Sequence, residues 1–394
     1  MKHNPYLIHA GSPADLALRL HHSGLEPAAA RHLAQKAEAL VLHLERVSAQ
    51  ALPVLAQTLQ EQGGEVAPIP AVPGEEGVRV LIAANRESLQ HALATLAQKP
   101  GACAELAEEI AACLAQKERL AARKHLICRD HLLPIGERTL VMGIVNVTPD
   151  SFSDGGRFFG VEQALAHARA LVEAGADILD IGGESTRPGA EPVGLEEELD
   201  RVLPVIRALA AECPVPLSVD TYKAEVAEQA IAAGAHIIND VWGAKREPRI
   251  AEVAAKWDVP LILMHNREAA DYTDFFSDMI RDLRESVSIA RKAGLSEEKI
   301  ILDPGIGFAK TLDQQLEVMR RLDDLVALGY PVLLGTSRKS MIGRVLDLPV
   351  DQRLEGTAAT VALGIVKGCH IMRVHDVKEI KRLARMMDAM LGRA

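Results

Sequence analysis

The stretch Leu140-Val-Met-Gly-Ile-Val-Asn-Val-Thr-Pro-Asp-Ser-Phe-Ser-Asp-Gly-Gly156 decides the fold, because it joins three local patterns in a fixed order. Its apolar run, Leu140–Val145, has the length and composition of a buried strand. A polar, glycine-rich loop follows. After the loop, Gln163–Ala174 has the apolar spacing of an amphipathic helix. Strand, loop and helix in this order form one unit of an α/β fold.

The same unit recurs through the rest of the chain. Gly175, Gly234 and Gly294 each stand just past a predicted helix, where a left-handed residue ends it. Alternating strands and helices imply parallel pairing with right-handed crossovers, and eight repeats predict a (β/α)8 TIM barrel. A doubly wound sheet is the alternative, but the G-x-G-x-x-G fingerprint is missing after the first strand. The predicted strands are Leu140–Val145, Ile178–Ile181, Leu217–Val219, Ile237–Ile238, Leu261–Met264, Ile300–Leu302, Val332–Leu334 and Ile371–Val374.

The first 130 residues have a different composition, rich in Ala, Leu and Gln. Ala28–Leu59 has the pattern of a helix, broken or kinked at Pro53. Short strands are predicted at Val66–Ile69 and Val78–Ala83, with helices after them. We therefore expect a small, mainly helical or α/β accessory domain of unknown role over residues 1–130, followed by the barrel over residues 131–394.

Composition limits the partners and the compartment. The net charge of −10 argues against nucleic acid and anionic membranes, which both favour a basic face. The five cysteines form no C-x-x-C pair, which favours reduced thiols over a disulfide framework or a zinc site. The N-terminal residues lack the apolar core of a signal peptide, and no run of 18 apolar residues occurs. These observations predict a cytoplasmic protein.

Polar or glycine-rich residues follow every predicted strand. A barrel of this kind keeps its site at the C-terminal ends of its strands, so all of these residues would face one mouth. One such strand end is explained by a turn or a helix cap, but eight of them together predict a site. The strand ends are Asn146 with the loop 148–156, Gly182–Gly189, Asp220, Asn239-Asp240, Met264-His265, Asp303–Phe308, Gly335–Ser340 and Arg373-Val-His375.

Several of these strings resemble the dihydropteroate synthase family in order and spacing, over about residues 138–392. The resemblance implies a pterin-binding (β/α)8 barrel, usually a homodimer, that uses 6-hydroxymethyl-7,8-dihydropterin diphosphate, p-aminobenzoate and Mg2+. The first two strings together are highly specific, whereas Asp-Pro-Gly alone is a common turn. The strings are Asn146-Val-Thr-Pro-Asp-Ser-Phe-Ser-Asp-Gly-Gly156, Gly182-Gly-Glu-Ser-Thr-Arg-Pro-Gly189, Asp303-Pro-Gly305, Thr336-Ser-Arg-Lys-Ser340 and Arg373-Val-His-Asp376.

A pterin presents an aminopyrimidine edge rich in N–H donors, and a buried carboxylate can accept two such bonds. Asp303 is the best candidate, and the resemblance assigns this role to it. Alternative roles remain for three others: Asp220 as a helix N-cap, Asn239 as a loop cap and Lys339 as a surface lysine. The pterin-binding residues implied by the resemblance are Asp220, Asn239, Met264, Asp303, Gly335, Lys339 and Arg373.

The diphosphate needs cations and donors. Arg373 and His375 alternate along one strand and so point the same way. The resemblance places both around the diphosphate together with Asn146, which is also the implied Mg2+ ligand. The implied catalytic residues are Asp150, Lys339, Arg373 and His375. The p-aminobenzoate pocket, which sulfonamides also occupy, is implied at Phe152, Thr186, Arg187, Pro188, Phe308 and Ser340.

The chemistry implied by the resemblance is a substitution at the pterin CH2 carbon, which requires no protein nucleophile. A rival interpretation is a pterin-binding methyltransferase, which would share Asp220, Asn239 and Asp303 but would not need the string Thr336–Ser340. A non-catalytic pterin-binding or scaffold protein is a second rival. The chain departs from the family at Asn266-Arg-Glu-Ala, which is charged, and at Ala309, where glycine is frequent.

Overall fold

A computed structural model describes residues 16–17, 20–21, 25–70, 77–147, 156–184 and 193–393. The chain divides into two compact units, Met1–Ala115 and Gln116–Ala394. No helix among the described residues is both long and apolar enough to span a membrane.

The first unit is a small α/β structure. Its three-stranded antiparallel sheet has the strand Val78–Asn85 in the middle, between Ala39–Val47 and Glu65–Ile69. Its apolar core includes Leu55 and Leu59 of one helix and Leu89 and Leu96 of another. Its elements are α1 (Pro27–Lys36), β1 (Ala39–Val47), α2 (Ala51–Glu61), β2 (Glu65–Ile69), β3 (Val78–Asn85), α3 (Arg86–Ala97) and the start of α4 (Ala102–Ala122).

The helix predicted over Ala28–Leu59 is wrong in its middle, because β1 lies there. Leu40, Leu42 and Leu44 all pack with the core of this unit, which is the period-two spacing of a strand. Leucine and alanine are good helix formers, so composition concealed this alternation. Pro53 does not break a helix. It lies in the first turn of α2, where its missing N–H has no intrahelical partner to lose.

The second unit begins with the end of α4, which a hairpin and then the predicted barrel follow. The hairpin pairs β4 (His125–Cys128) with β5 (His131–Pro134). The eight barrel strands and their helices follow in alternation. They are β6 (Leu140–Asn146), α5 (Gly156–Glu173), β7 (Ile178–Gly182), α6 (Leu195–Ala210), β8 (Leu217–Asp220), α7 (Ala224–Ala232), β9 (Ile237–Asp240), α8 (Arg249–Trp257), β10 (Leu261–Met264), α9 (Phe275–Lys292), β11 (Ile300–Asp303), α10 (Leu312–Arg320), α11 (Leu322–Val326), β12 (Leu333–Leu334), α12 (Ser340–Leu346), α13 (Leu354–Val366), β13 (Ile371–Val374) and α14 (Val377–Met390).

The sheet closes into a barrel. Its strand order is β11-β10-β9-β8-β7-β6-β13-β12, and a parallel bridge between Leu302 and Val332 joins β11 to the chain entering β12. Gly175, Gly234 and Gly294 have φ of 99°, 117° and 94°, which confirms that each ends a helix with a left-handed residue. The predicted (β/α)8 fold is therefore confirmed.

The barrel interior is apolar at its lower, N-terminal end. Side chains alternate along each strand, so every second residue points inward. The hairpin closes this end, because Leu126, Cys128, Leu133 and Ile135 pack against the inward residues of the barrel. Those inward residues are Leu140, Met142, Ile178, Ile237, Ile262, Ile301, Leu333 and Ile371.

The hairpin bears on the domain boundary. A boundary after residue 130, as the composition predicts, would separate β4 from β5 and would leave Leu126 and Cys128 outside the barrel that they pack against. We propose instead that the catalytic unit begins near Gln116, where the second compact unit starts.

Candidate active site

Strand register brings the predicted pterin residues together. Asp220 of β8 pairs with Asn239 of β9, and Met264 of β10 pairs with Asp303 of β11. All four are buried and lie near the C-terminal ends of their strands. Asn239, Met264 and Asp303 each stand two residues after an isoleucine of the lower interior, and Asp220 stands two residues after Ser218. Side chains alternate along a strand, so all four share the upper interior.

Arg373 of β13 is the cation at the centre of this interior. Its Nε donates to Asp180 Oδ2 at 2.6 Å, and a terminal nitrogen donates to Asp220 Oδ2 at 2.7 Å. Asn239 Nδ2 also donates to Asp180 Oδ2, at 3.0 Å. Asp220 does not cap α7, whose N-cap is Lys223, so the alternative reading of Asp220 as a helix cap is wrong.

Burial dominates the electrostatics of this interior. It raises the pKa of Asp303, although the Gly305 N–H, Lys339 and Arg373 oppose the shift. Burial also raises the pKa of Asp220, against the opposing charge of Arg373. Both carboxylates are thus held in a site where ionisation is unfavourable, a state typical of binding and catalytic groups.

Several buried oxygens in this interior have no hydrogen-bond partner among the described residues. They are Asp180 Oδ1, Asp220 Oδ1 and the Ser218 hydroxyl, all from β7 and β8. Leaving such an atom unpaired costs about 1–3 kcal/mol. An arrangement of unpaired carboxylate oxygens fits a ligand that brings N–H donors, and an aminopyrimidine edge is such a ligand.

The loop after β12 supplies a second cation. Lys339 Nζ lies 4.3 Å from the centroid of the Phe308 ring, and its side chain is half-buried rather than a free surface lysine. Arg338 makes two hydrogen bonds to the Asp376 carboxylate, which ties this loop to the end of β13. Ser340 is exposed at the start of α12.

His375 follows β13 and is held by Ser337. The Ser337 hydroxyl accepts from the His375 backbone N–H at 3.1 Å and lies 3.0 Å from its ring Nδ1. These contacts with Ser337 hold the His375 ring at the end of β13. Gly335 is half-buried and adjoins Arg373. Asn146 is exposed at the end of β6.

Two strand-end residues named from the sequence are structural. Asp240 is buried and accepts from the Trp242 N–H at 2.8 Å and the Ala244 N–H at 2.6 Å, so it shapes the loop after β9. His265 is buried, and its Nε2 lies 3.1 Å from Asp282 Oδ2. Burial lowers the pKa of His265 to about 4, so the ring is neutral at pH 7.

The two departures from the family pattern have structural counterparts. Arg267, in the charged segment, donates from Nε to Asp282 Oδ2 at 2.6 Å and stacks 4.4 Å from the centroid of the Tyr272 ring. Ala309 has a φ of 41°, in the region that favours glycine. The Tyr272 hydroxyl donates to the Ala309 carbonyl at 2.8 Å and braces this conformation.

Five predicted site residues lie outside the described residues, all in the loops after β6 and β7. The base of the second loop is described and is well anchored. Lys223 forms ion pairs with Glu184 and with the buried Glu198, and Arg201 donates to the Gly183 carbonyl at 2.7 Å. The five residues are Asp150, Phe152, Thr186, Arg187 and Pro188.

Sequence reasoning missed Asp180 and Lys310. Asp180 is fully buried, and its signal was available: it is a charged residue inside an otherwise apolar strand, Ile178–Ile181. Its partner Arg373 lies 193 residues away, so the pairing itself could not be read locally. Lys310 is also buried, but a lysine two residues after Phe308 carries no periodic signal.

Within the described ranges, one cluster has the composition of a metal site: Asp130, His131 and His236. It lies at the lower end of the barrel. His236 Nδ1 accepts from the Leu217 N–H at 3.1 Å, so its Nε2 carries the proton and donates toward Asp130 Oδ1 at 3.3 Å. A ligating nitrogen must be unprotonated, so this cluster does not fit a metal ion.

Comparison with known proteins agrees with this geometry. Residues 142–375 match the family model described as pterin binding enzyme. The chain is 62% identical to the dihydropteroate synthase of Bacillus subtilis over 257 residues, which are 65% of this chain and 90% of that protein. It is 45% identical to the Escherichia coli K12 enzyme over 259 residues, which are 64% of this chain and 92% of that protein.

Solved structures give the same result. A dihydropteroate synthase from Clostridium difficile, determined in the presence of pteroic acid, aligns with a TM-score of 0.64 at 50% identity and covers 66% of this chain and 98% of its own. The Xanthomonas albilineans enzyme with 4-aminobenzoic acid aligns with a TM-score of 0.65 at 44% identity, covering 68% and 98%. The chain therefore belongs to the pterin-binding enzymes and, among them, to the dihydropteroate synthases, which are transferases of folate biosynthesis.

Proposed function

We propose that the polar upper end of the barrel condenses 6-hydroxymethyl-7,8-dihydropterin diphosphate with p-aminobenzoate to give 7,8-dihydropteroate and diphosphate. One observation carries this proposal: the buried carboxylates of Asp220 and Asp303 share the barrel interior with Arg373 and have Lys339 near them. Acceptors for pterin N–H groups thus lie beside cations for a diphosphate. The solved relatives with pteroic acid and with 4-aminobenzoic acid support the two halves of this assignment.

The pterin would be oriented by Asp303, with Asp220 and Asn239 completing the hydrogen bonds to the ring. The unpaired Asp220 Oδ1 supports this orientation, since a ring N–H would satisfy it. Met264 and Gly335 would line the flat faces, because a thioether and a bare backbone leave room for a planar ring.

The diphosphate would be bound by Arg373 and His375, with Mg2+ as the implied metal. Asn146 would hold the metal through its amide oxygen. A single protein ligand is enough, because Mg2+ keeps several waters and binds substrate phosphate oxygens directly. When bound, Mg2+ neutralises charge on the departing diphosphate.

The chain's own residues would then perform positioning and charge stabilisation. The CH2–O bond breaks with its electron pair leaving on the diphosphate, and the pterin ring stabilises the CH2 cation. The amine of p-aminobenzoate donates its lone pair to that carbon and loses a proton. Arg373 and His375 act on the leaving group, while Lys339 faces the pterin. Water must be excluded while the cation exists.

The loops after β6 and β7 would provide that exclusion. By resemblance, Asp150 stabilises the cation or assists the amine. The ion pairs of Lys223 with Glu184 and Glu198 support a fixed base for the second loop. The p-aminobenzoate pocket would be formed by Phe152, Thr186, Arg187, Pro188, Phe308 and Ser340.

The direct test is product formation from the two substrates with Mg2+, comparing the wild-type protein with Asp303→Asn. The variant should retain the fold and lose pterin binding, because an amide cannot present two acceptor oxygens. Asp313→Asn is the matched control, since it removes the same charge from an exposed residue of α10 and should leave activity unchanged.

The rival functions give different results in this assay. A methyltransferase would bind the pterin through Asp303 but would yield no dihydropteroate. A scaffold protein would bind without turnover. Absence of product from wild-type protein, under conditions where an established synthase turns over, would refute the proposed function.

We also propose that the protein is a homodimer. Exposed apolar side chains lie on α12, α13 and α14 and in the turn after α12, and α13 packs beside both of the other helices. An exposed apolar patch of this kind favours an isologous interface. Light scattering of the wild-type protein should give twice the mass of one chain. The variant Val366→Glu should give the mass of a single chain. The residues are Val345, Leu346, Val350, Val366, Met386 and Met390.

A cytoplasmic location remains a proposal. It is supported by the five cysteines, all of which are free thiols and three of which are buried. Recognition of small-molecule substrates rather than nucleic acid is supported by the net charge of −10.

A further inference from the structure

Lys310 is a buried lysine that joins the two loops after β10 and β11. Only 8% of its surface is exposed. Its Nζ lies 2.7 Å from His265 Nδ1 in the first loop, and it donates to the Gly305 carbonyl at 3.0 Å and the Phe308 carbonyl at 3.1 Å in the second. Three acceptors from two loops thus lie within 3.1 Å of one nitrogen, and the His265 carbonyl lies farther away, at 3.4 Å.

The acceptors around Nζ indicate the protonation states of Lys310 and His265. The three nearest acceptors use all three protons of an ammonium group, so the cation is the form that the surroundings satisfy. Burial lowers the pKa of Lys310 to about 7, and the negative charges of Asp303 and Asp282 oppose that shift. His265 Nδ1 must then be an acceptor. Its Nε2–H is left to donate to Asp282 at 3.1 Å, which agrees with a neutral ring.

The same lysine lies behind the pterin carboxylate. The Gly305 N–H donates to Asp303 Oδ1 at 2.7 Å, and the Gly305 carbonyl is one of the acceptors of Lys310. The turn is tightly constrained, because Gly305 has a φ of 66° and a Cβ on it would lie 2.0 Å from the His265 carbonyl oxygen. Phe308 is the last residue of this turn, and its ring faces Lys339.

We propose that Lys310 is a positioning residue for the reaction: it holds the turn Gly305–Phe308 and supplies a buried cation that favours the ionised form of Asp303. The inference rests on the proposed role of Asp303 as the pterin anchor. In this role Lys310 would contact neither substrate. It acts through the position and charge of Asp303 and through the placement of the Phe308 ring.

The charges around both groups define the expected pH behaviour. Asp303 and Asp282 favour the Lys310 cation, whereas Lys339 and Lys245 oppose it. Asp303 is in turn favoured as an anion by Lys339, Arg373 and Lys310. Removing Lys310 therefore raises the pKa of Asp303 further, so the carboxylate protonates at a higher pH.

The test is the pH dependence of kcat/KM in Lys310→Met, which keeps the length of the side chain and removes its charge. We expect the KM for the pterin substrate to rise about 10- to 100-fold, as for other residues that orient a functional group from behind. The KM for p-aminobenzoate should change less. The acidic limb of the profile should move to higher pH, because Asp303 must be ionised to accept the pterin.

Lys299→Met is the matched control. Lys299 is also buried, and its Nζ donates to the Ile127 carbonyl at 3.0 Å and the Asp258 carbonyl at 2.8 Å, far along the strands from the site. This variant should unfold at lower denaturant concentration but leave the acidic limb and both KM values unchanged. Lys310→Arg should keep the acidic limb at its wild-type pH, because the charge is retained.

An unchanged pterin KM and acidic limb in Lys310→Met would overturn the inference. An equal shift in Lys299→Met would also overturn it, since the effect would then be structural. If Lys310→Met does not fold, Asp282→Asn decides. Losing that carboxylate lowers the pKa of Lys310 further, so the loss of pterin affinity with rising pH should begin at a lower pH than in the wild-type protein, and no shift would refute the proposal. Loss of binding in Asp303→Asn tests the underlying assignment separately.

Discussion

The lower and upper halves of the barrel interior are built by the same strands and differ in chemistry. On β11, Ile301 packs in the lower half and Asp303 faces the upper half. On β7 the corresponding pair is Ile178 and Asp180. Two residues along a strand therefore separate a closed apolar floor from a polar site, because inward positions recur with period two. Stability and binding can be varied separately on one strand.

Loss of the β4–β5 hairpin should have the largest effect on the stability of the lower half of the barrel. Deletion of residues 1–130 takes away β4, and the loss of Leu126 alone should cost about 2–5 kcal/mol. Deletion of residues 1–115 keeps the hairpin and should leave barrel stability and activity near those of the full chain. Urea denaturation followed by circular dichroism measures the difference. Equal stability of the two truncated proteins would show that the hairpin does not stabilise the barrel.

Arg373→Met should have the largest effect on the upper half. It removes the cation proposed to stabilise the departing diphosphate, and kcat should fall by about 10²–10³. It also leaves Asp180 and Asp220 without their shared partner, so the variant should be less stable at neutral pH than at acidic pH. Steady-state kinetics and a melting series across pH give the two measurements. A normal kcat would remove Arg373 from the catalytic residues.

Ile301→Ala should lower the stability of the protein and leave its activity unchanged. The side chain is fully buried in the lower interior, so its truncation should cost about 2–5 kcal/mol of unfolding free energy. Because Asp303 keeps its backbone position, kcat/KM per folded molecule should not change. If kcat/KM per folded molecule falls together with the unfolding free energy, the two halves are coupled. Stability and binding then cannot be varied separately.

Ala309→Gly should produce the smallest effect. At a φ of 41° glycine avoids the steric penalty of a Cβ, and we expect a gain of about 0.5–1 kcal/mol. Thermal denaturation with kinetics at saturating substrate checks this. A lower melting temperature would mean that the added freedom of the unfolded chain outweighs the relief of strain.

The fold was predictable wherever local pattern and final environment agree. All eight barrel strands lie where apolar runs predict them, because a strand buried on both faces has no alternation to misread. β1 shows the opposite case. Its leucines alternate, but they stand among residues that favour helices, and pairing with β3 overrides that preference.

The site was predictable to a lesser degree. Asp303, Asp220 and Arg373 stand in recognisable strings at strand ends, so their residue types and positions could be named. Asp180 and Lys310 could not be assigned in the same way, because each is defined by its partners. Asp180 meets Arg373 across 193 residues, and Lys310 meets His265 across 45.

Periodicity, glycine placement and strand-end chemistry were thus sufficient for the architecture and for the main anchoring groups, since these depend on a few neighbouring residues. Closure of the barrel was needed to bring together the ion pairs, the unpaired buried oxygens and the lysine behind Asp303. Their energies depend on burial and on separations of about 3 Å, which arise when distant strands pack around one interior.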